Sequence, residues 1–450
     1  MLLVKIILGL FGLGIVVFVH ELGHFLAARL VGIDVDAFSI GWGNPVLKKK
    51  IGNVEYRLGM FPVGGYCKMK GDSDYNNEAY EKLANGILPE KGSYLAANPL
   101  ARILVSFGGP FFNLIFAVLL LSVLWGIGFE FQTLGNKIIL ASDITKGEIS
   151  PADAAGLKTG DRIIEIAGKE SAYYHEVHEN IVLNPEKELQ LLVERNGEIL
   201  EMAVTPSLDK SSGAGRIGVY FWIDPVIGSV EEGSPAYKAG LLPQDVITGA
   251  NGIAVNNTMD IMKASEINPG HLVLEYSRDG RKGNVEFTKD EYENGIGISW
   301  VVINYRTPNL SFPAAVVKGA AESWKTLLIS VKSLGLLFRG IDLTQAVSGP
   351  VRITYMIGEM AAQGFGQGLG TGFRSIAEFL ALISIALCIM NLLPLPILDG
   401  GMIVLFLVEF IRRKPAHPKV IAVFQSCGMV IIFGLMIFAL FGDIMFFFRK

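Results

Sequence analysis

The chain has 450 residues, 51% of them hydrophobic and only 18% charged, with a mean hydropathy of +0.43. A soluble domain needs much less apolar material to fill its core, so this is the composition of a membrane protein. A net charge of −4 with no basic block interleaved with aromatics speaks against a nucleic-acid partner, and Cys67, Cys388 and Cys427 make no disulfide framework.

Four apolar runs, near 2–28, 100–126, 375–398 and 420–447, are each long enough to cross about 30 Å of hydrocarbon. The first opens like a secretory leader, but no small-x-small cleavage site precedes its histidines, so it reads as a retained span. It closes on VVFVHELGHFLAARL, residues 16–30. Ionisable groups at that depth are costly and are kept for function. HELGH is H-E-x-x-H: on a helix, His20 and His24 lie about 40 degrees apart, so both imidazoles can reach one Zn²⁺, with Glu21 beside them to take a proton.

Between the first two spans, Val54, Tyr56, Leu58 and Met60 alternate, and Pro62, Gly64 and Gly65 suggest a turn. This predicts a β-hairpin, whose Gly64-Gly65-Tyr66 stretch could receive an extended substrate as an added strand. An ordinary hairpin is the alternative. The loop 29–70 carries Arg29, Lys48, Lys49, Lys50, Arg57, Lys68 and Lys70, and the loop after the third run carries Arg412, Arg413, Lys414 and Lys419. The positive-inside rule makes both loops cytoplasmic and both termini external; Arg449 and Lys450 oppose this weakly.

From 128 to 310 the pattern turns soluble: short β-rich runs, glycine turns and spread charges. SPADAAGLKTGDRIIEIAG, from Ser150, aligns without gaps on SPAYKAGLLPQDVITGANG, from Ser234, an offset of 84 residues. Both copies resemble bacterial-type PDZ domains, α+β modules that bind extended peptides along a sheet edge. Gln244 replaces a glycine of that pattern, and a spacer role is the alternative. In the stretch 311–338, Lys318, Glu322, Lys325 and Lys332 form one helical stripe mostly opposite Val317, Trp324, Leu327, Leu328, Val331 and Leu334, which predicts an interfacial amphipathic helix, with a helix packed on the PDZ domains as the alternative.

Zinc catalysis wants three protein ligands and an open position. In NLLPLPILDGG, residues 391–401, Pro394 and Pro396 break the helix of the third run, leaving Asp399 free to turn into the bundle at the depth of His20. A helix-capping Asp399 before Gly400 and Gly401 is the other reading.

HExxH in the first span, FGGPFFN (107–113) in the second, a PDZ insertion and NxxPxPxLDG in the third together resemble the site-2 protease family of intramembrane zinc metalloproteases. The resemblance covers nearly the whole chain. It implies a polytopic α-helical membrane protein with four transmembrane helices, a cytoplasmic-side β-hairpin and two tandem PDZ domains between spans two and three. The expected blocks are 1–127, 128–215, 216–310, 311–372 and 373–450. It further implies zinc on His20, His24 and Asp399, Glu21 as general base, Asn391 holding substrate or oxyanion, and a structural Asn113; it also favours the strand-accepting hairpin. The implied location is the bacterial inner membrane, with the PDZ domains and both termini periplasmic. The implied substrates are single-span membrane proteins, such as an anti-sigma factor already trimmed outside, or remnant signal peptides. Two rival readings are a different HExxH membrane zincin, with a glutamate as third ligand, and a PDZ scaffold with a relict motif.

Overall fold

The computed structural model describes residues 2–71, 90–144, 149–209, 213–267, 270–336, 349–366, 368–414 and 416–448. Arg449, Lys450 and the last two residues of the 311–338 stretch lie outside them. The chain forms two compact units, one of Met1–Phe129 with Thr307–Lys450 and one of Glu130–Arg306.

The first unit is built on helices α1 (Leu2–Leu30), α2 (Pro99–Ile127), α3 (Phe312–Leu336), α4 (Pro350–Gly366), α5 (Leu369–Leu392), α6 (Asp399–Arg412) and α7 (Pro418–Phe448). Among the described residues, α1, α2, α5 and α7 are long and apolar enough to cross a membrane. They satisfy their backbone internally, as a spanning segment must. Asn98 starts α2 by accepting the Ala101 N–H at 2.8 Å, with Pro99 in the first turn, where its missing N–H costs nothing.

One sequence expectation changes here. The third run, read as reaching 398, stops as a helix at Leu392, because the Leu393–Leu398 loop holds Pro394 and Pro396. Asp399 then opens α6, whose 14 residues are too few to span. The amphipathic stretch packs lengthwise on α2, with Ala315 beside Gly126, Gly319 against Ser122, and Leu327 and Leu334 in one apolar cluster with Leu114, Ala117 and Leu120. The antiparallel packing on a spanning helix explains why its small residues fall where they do.

Two polar ties hold α4. Lys5 on α1 pairs with Glu359 at 2.6 Å, and Asp443 on α7 accepts the backbone N–H groups of Gly349, Val351 and Arg352 at 2.8, 3.0 and 3.1 Å. A third tie joins α2 to α6. Buried Arg102 donates to buried Glu409 at 2.8 Å, and the second Glu409 oxygen accepts the Ala416 N–H at 2.9 Å.

Strands β1 (Val35–Ile51) and β2 (Val54–Met69) form the hairpin, but its turn is at Gly52-Asn53, not at 62–65, which continue inside β2. Gly52, with φ 61°, takes the left-handed turn position that other residues resist. The two strands fold back on themselves. Residues 35–40 are paired with 65–69 on one side and with 55–58 on the other, and 47–51 also pairs with 54–58. Gly64 and Gly65 therefore lie at the start of an edge segment.

The second unit contains the sequence repeat as two copies of one architecture. Each is a four-stranded antiparallel sheet, in the order Lys169–Glu170, Arg162–Ile166, Leu189–Arg195, Glu198–Val204 in the first copy. The second runs Ile253–Ala254, Val246–Ala250, His271–Arg278, Arg281–Thr288. Ser150 and Ser234 cap the equivalent short helices, and each copy has its own apolar core. The buried Asp161 and Asp245 each take a two-pronged contact at 2.7 Å, from Arg195 and Arg278. Gln244, at the position of Gly160 (φ 98°), is held at φ 72°, a left-handed conformation that a residue with a Cβ reaches only at some cost. Glu130–Thr133 and Ile303–Arg306 pair antiparallel, so the chain enters and leaves this unit through one ribbon.

Candidate active site

The last turns of α1 present His20 and His24 on one face, and α6 presents Asp399 from its first residue. The loop before α6 can double back so tightly because of the two glycines that follow. A Cβ on Gly400 would sit 2.3 Å from the Leu392 carbonyl oxygen, and one on Gly401 2.1 Å from that of Leu395. One nitrogen from each histidine and one carboxylate oxygen of Asp399 all lie within 4.8 Å of one another, the single such group among the described residues. His20 Nε2 is 3.1 Å from His24 Nε2 and 3.3 Å from Asp399 Oδ2, and His24 Nε2 is 3.5 Å from Asp399 Oδ1.

The hydrogen bonds around the pair fit a metal. His24 Nδ1 is 2.8 Å from the Val105 carbonyl oxygen, which can only accept, so Nδ1 carries the proton and the neutral ring turns a bare Nε2 lone pair to the common point. The amide nitrogen of Asn113 is 3.3 Å from His20 Nδ1, while its Oδ1 is buried without a hydrogen-bond partner. Turning that amide over gives Oδ1 the Nδ1–H it lacks and frees His20 Nε2 as a ligand. Two nitrogen lone pairs and a carboxylate converging at this spacing form a donor set suited to Zn²⁺. Space for the ion exists because α2 has no side chain there. A Cβ on Gly109 would fall 2.4 Å from His24 Nε2 and 2.8 Å from His20 Nε2.

Glu21 is part-buried, and its carboxylate is hydrogen-bonded by the Cys67 backbone N–H of β2. A Cβ on Gly65 would lie 3.2 Å from the Glu21 Cγ. The edge segment thus runs directly past the acid. Asn391, at the end of α5, is 3.5 Å from His20 Nε2 through its amide nitrogen. A cavity of about 350 Å³ opens beside Glu21, His24 and Asp399, walled by Cys67, Met69, Tyr94, Val105 and Met402. Of the residues singled out from sequence, His20, Glu21, His24, Asp399, Asn391 and Gly65 meet here, while Gly64 packs under the Trp42 indole and Tyr66 accepts from Arg57 at 3.0 Å. Sequence reading passed over Gly109, the Val105 carbonyl and the Cys67 N–H. The glycine pair of FGGP was a usable signal, since small residues in a span mark close helix approach; the two backbone groups leave no trace in side-chain identity.

Known proteins resemble this chain along nearly its whole length. The family model for peptidase family M50 matches residues 8–435. A protein of Treponema pallidum (strain Nichols), provisionally named a zinc metalloprotease, is 36% identical over 99% of this chain and 100% of its own length. The regulator of sigma E protease of Haemophilus influenzae is 30% identical, covering 96% of each chain, and the regulator of sigma-E protease RseP of Salmonella typhimurium is 28% identical with the same coverage.

Proposed function

The chain belongs to peptidase family M50, the site-2 proteases, and for this zinc metalloendopeptidase we propose that His20, His24 and Asp399 hold the ion and that it cuts the membrane segments of single-span proteins. The observation that carries the reading is the convergence of three ligand atoms within 4.8 Å beside Glu21, on a helix apolar enough to span. When bound, zinc acidifies a water and polarises the scissile carbonyl. Glu21 accepts the proton from the attacking water and returns it to the leaving amine. Asn391, a neighbour of His20, offers its amide N–H to the developing oxyanion or to the substrate backbone.

A helical peptide bond is shielded, so the substrate unwinds before it is cut. The segment at Gly65 and Tyr66 pairs on one side with 35–40 and runs past Glu21, which supports its reading as a template strand for the extended substrate. By the charge distribution the hairpin is cytoplasmic, and the repeated subdomains, read as PDZ domains, are periplasmic with both termini. Similarity to regulators of sigma E supports, with the family resemblance, a bacterial inner-membrane enzyme acting on an anti-sigma factor already cut outside; the resemblance adds remnant signal peptides as a second substrate class.

The test is Glu21→Gln in the full chain. Cleavage falls at least about a hundredfold while zinc stays stoichiometric, since the base is lost and the ligands remain. Activity within about tenfold of the parent would remove Glu21 from the base role.

A further inference from the structure

Where the candidate span α2 begins and α6 ends, a cavity of about 570 Å³ lies apart from the zinc site. Leu95, Pro99, Arg102, Glu409, Arg413 and Lys414 line it. Its charge is uneven. Glu409 and Arg102 are both buried and neutralise each other as an ion pair, with the second Glu409 oxygen on the Ala416 N–H, so the net charge of the lining is that of Arg413 and Lys414, exposed cations just past the helix end. The Arg102 guanidinium is fixed in place by Glu409 and by its position 4.6 Å over the Phe406 ring. Its other lining is apolar, with Phe410 and Ile411 of α6 both exposed; Leu100 and Leu104, next to the lining residues Pro99 and Arg102 on the first turns of α2, are exposed too.

Two exposed cations, one of them the Arg413 guanidinium, beside a buried neutral ion pair and an apolar rim match one kind of molecule. We propose that this cavity binds the phosphate of an anionic phospholipid, with its acyl chains lying along Leu100, Leu104, Phe410 and Ile411. Guanidinium suits a phosphate through planar two-point donation, and Lys414 adds a point charge. Basic pockets between membrane helices are suited to such headgroups. Free phosphate shares the headgroup chemistry but leaves the apolar rim uncovered. The site joins α2, which walls the zinc centre, to α6, which carries Asp399.

The full chain, reconstituted in phosphatidylcholine vesicles, is probed with spin-labelled phosphatidylglycerol and spin-labelled phosphatidylcholine. The phosphatidylglycerol label is enriched in the protein-restricted fraction, and Arg413→Asn with Lys414→Gln lowers that enrichment by about tenfold. Asn tolerates the left-handed backbone at 413, where φ is 53°. Arg413→Lys, which keeps the charge, retains most of the enrichment. Equal restriction of the two labels by the parent, or enrichment untouched in the double variant, overturns the proposal. Displacement of the label by millimolar inorganic phosphate overturns it in favour of a soluble anion. Lys414→Glu alone provides the same readout should the double variant fail to reconstitute.

Discussion

Gly109 and His24 meet where α2 crosses α1, and the absent side chain of the first leaves open the space that the second's Nε2 faces. A methyl group at Gly109 would stand 2.4 Å from His24 Nε2, inside the space on which the ring nitrogens and Asp399 converge. Gly109→Ala is therefore expected to cost zinc before it costs fold. Helix propensity favours alanine by up to about 1 kcal/mol, so a general loss of helix is not the expected failure. Metal analysis of the purified variant beside its helical circular dichroism checks this; full zinc occupancy would mean that the helices part easily.

Asn113 gives a sharper test of how His20 is held. Removing a partner that orients a metal ligand typically costs about 10–100-fold in metal affinity. Asn113→Leu should show a loss of that size in competition with a chelator. Asn113→Asp, which keeps an acceptor for Nδ1–H, should hold zinc at least as well as the parent. Equal losses in both variants would assign Asn113 to packing alone.

Asp443 satisfies three backbone N–H groups at the start of α4. Losing a cap costs on the order of 1–2 kcal/mol in water, and unsatisfied backbone is costlier near lipid. Asp443→Ala should therefore accelerate amide exchange at Val351 and Arg352 while sparing α2. Asp443→Asn, which keeps one acceptor oxygen, should fall between.

In the second copy of the repeat, burial pushes the Asp245 carboxyl upward, but the Arg278 fork and the Leu242 N–H outweigh it and leave the group below its ordinary 3.8. A carboxyl lowered in the folded state stabilises fully above its unfolded value, and the benefit is lost as pH falls through the folded one. The urea midpoint of the β-rich unit should thus drop below about pH 4. Arg278→Gln should lower that midpoint at neutral pH and flatten its acid limb. An unchanged acid limb would dismiss the pair as the source.

What was legible in the sequence had a periodic or compositional cause. The four spans stand out because lipid demands long apolar runs, HELGH because one helix turn brings i and i+4 together, and the repeat because two copies share cap, turn and strand residues. Asp399 was readable from the prolines before it and from the family pattern. The hairpin turn was misplaced, since Gly64 and Gly65 look like a turn when only local chain is considered. In the fold they serve an edge strand passing Trp42 and Glu21, while Gly52 makes the turn. The separate α6 was hidden by its own greasiness, which merges with that of α5. Ties such as Arg102 to Glu409 or Asp443 to Gly349 join residues 307 and 94 positions apart, and no local window can register them.

The three side chains that converge beside Glu21 come from distant parts of the chain. Asp399 leaves the ribosome some 375 residues after His24. At about 5–20 residues per second, the histidine pair waits roughly 20–75 s for its third partner. A chain released before α6 is made would carry the acid and both imidazoles without Asp399, so translation itself withholds the third converging group until long after α1 has emerged.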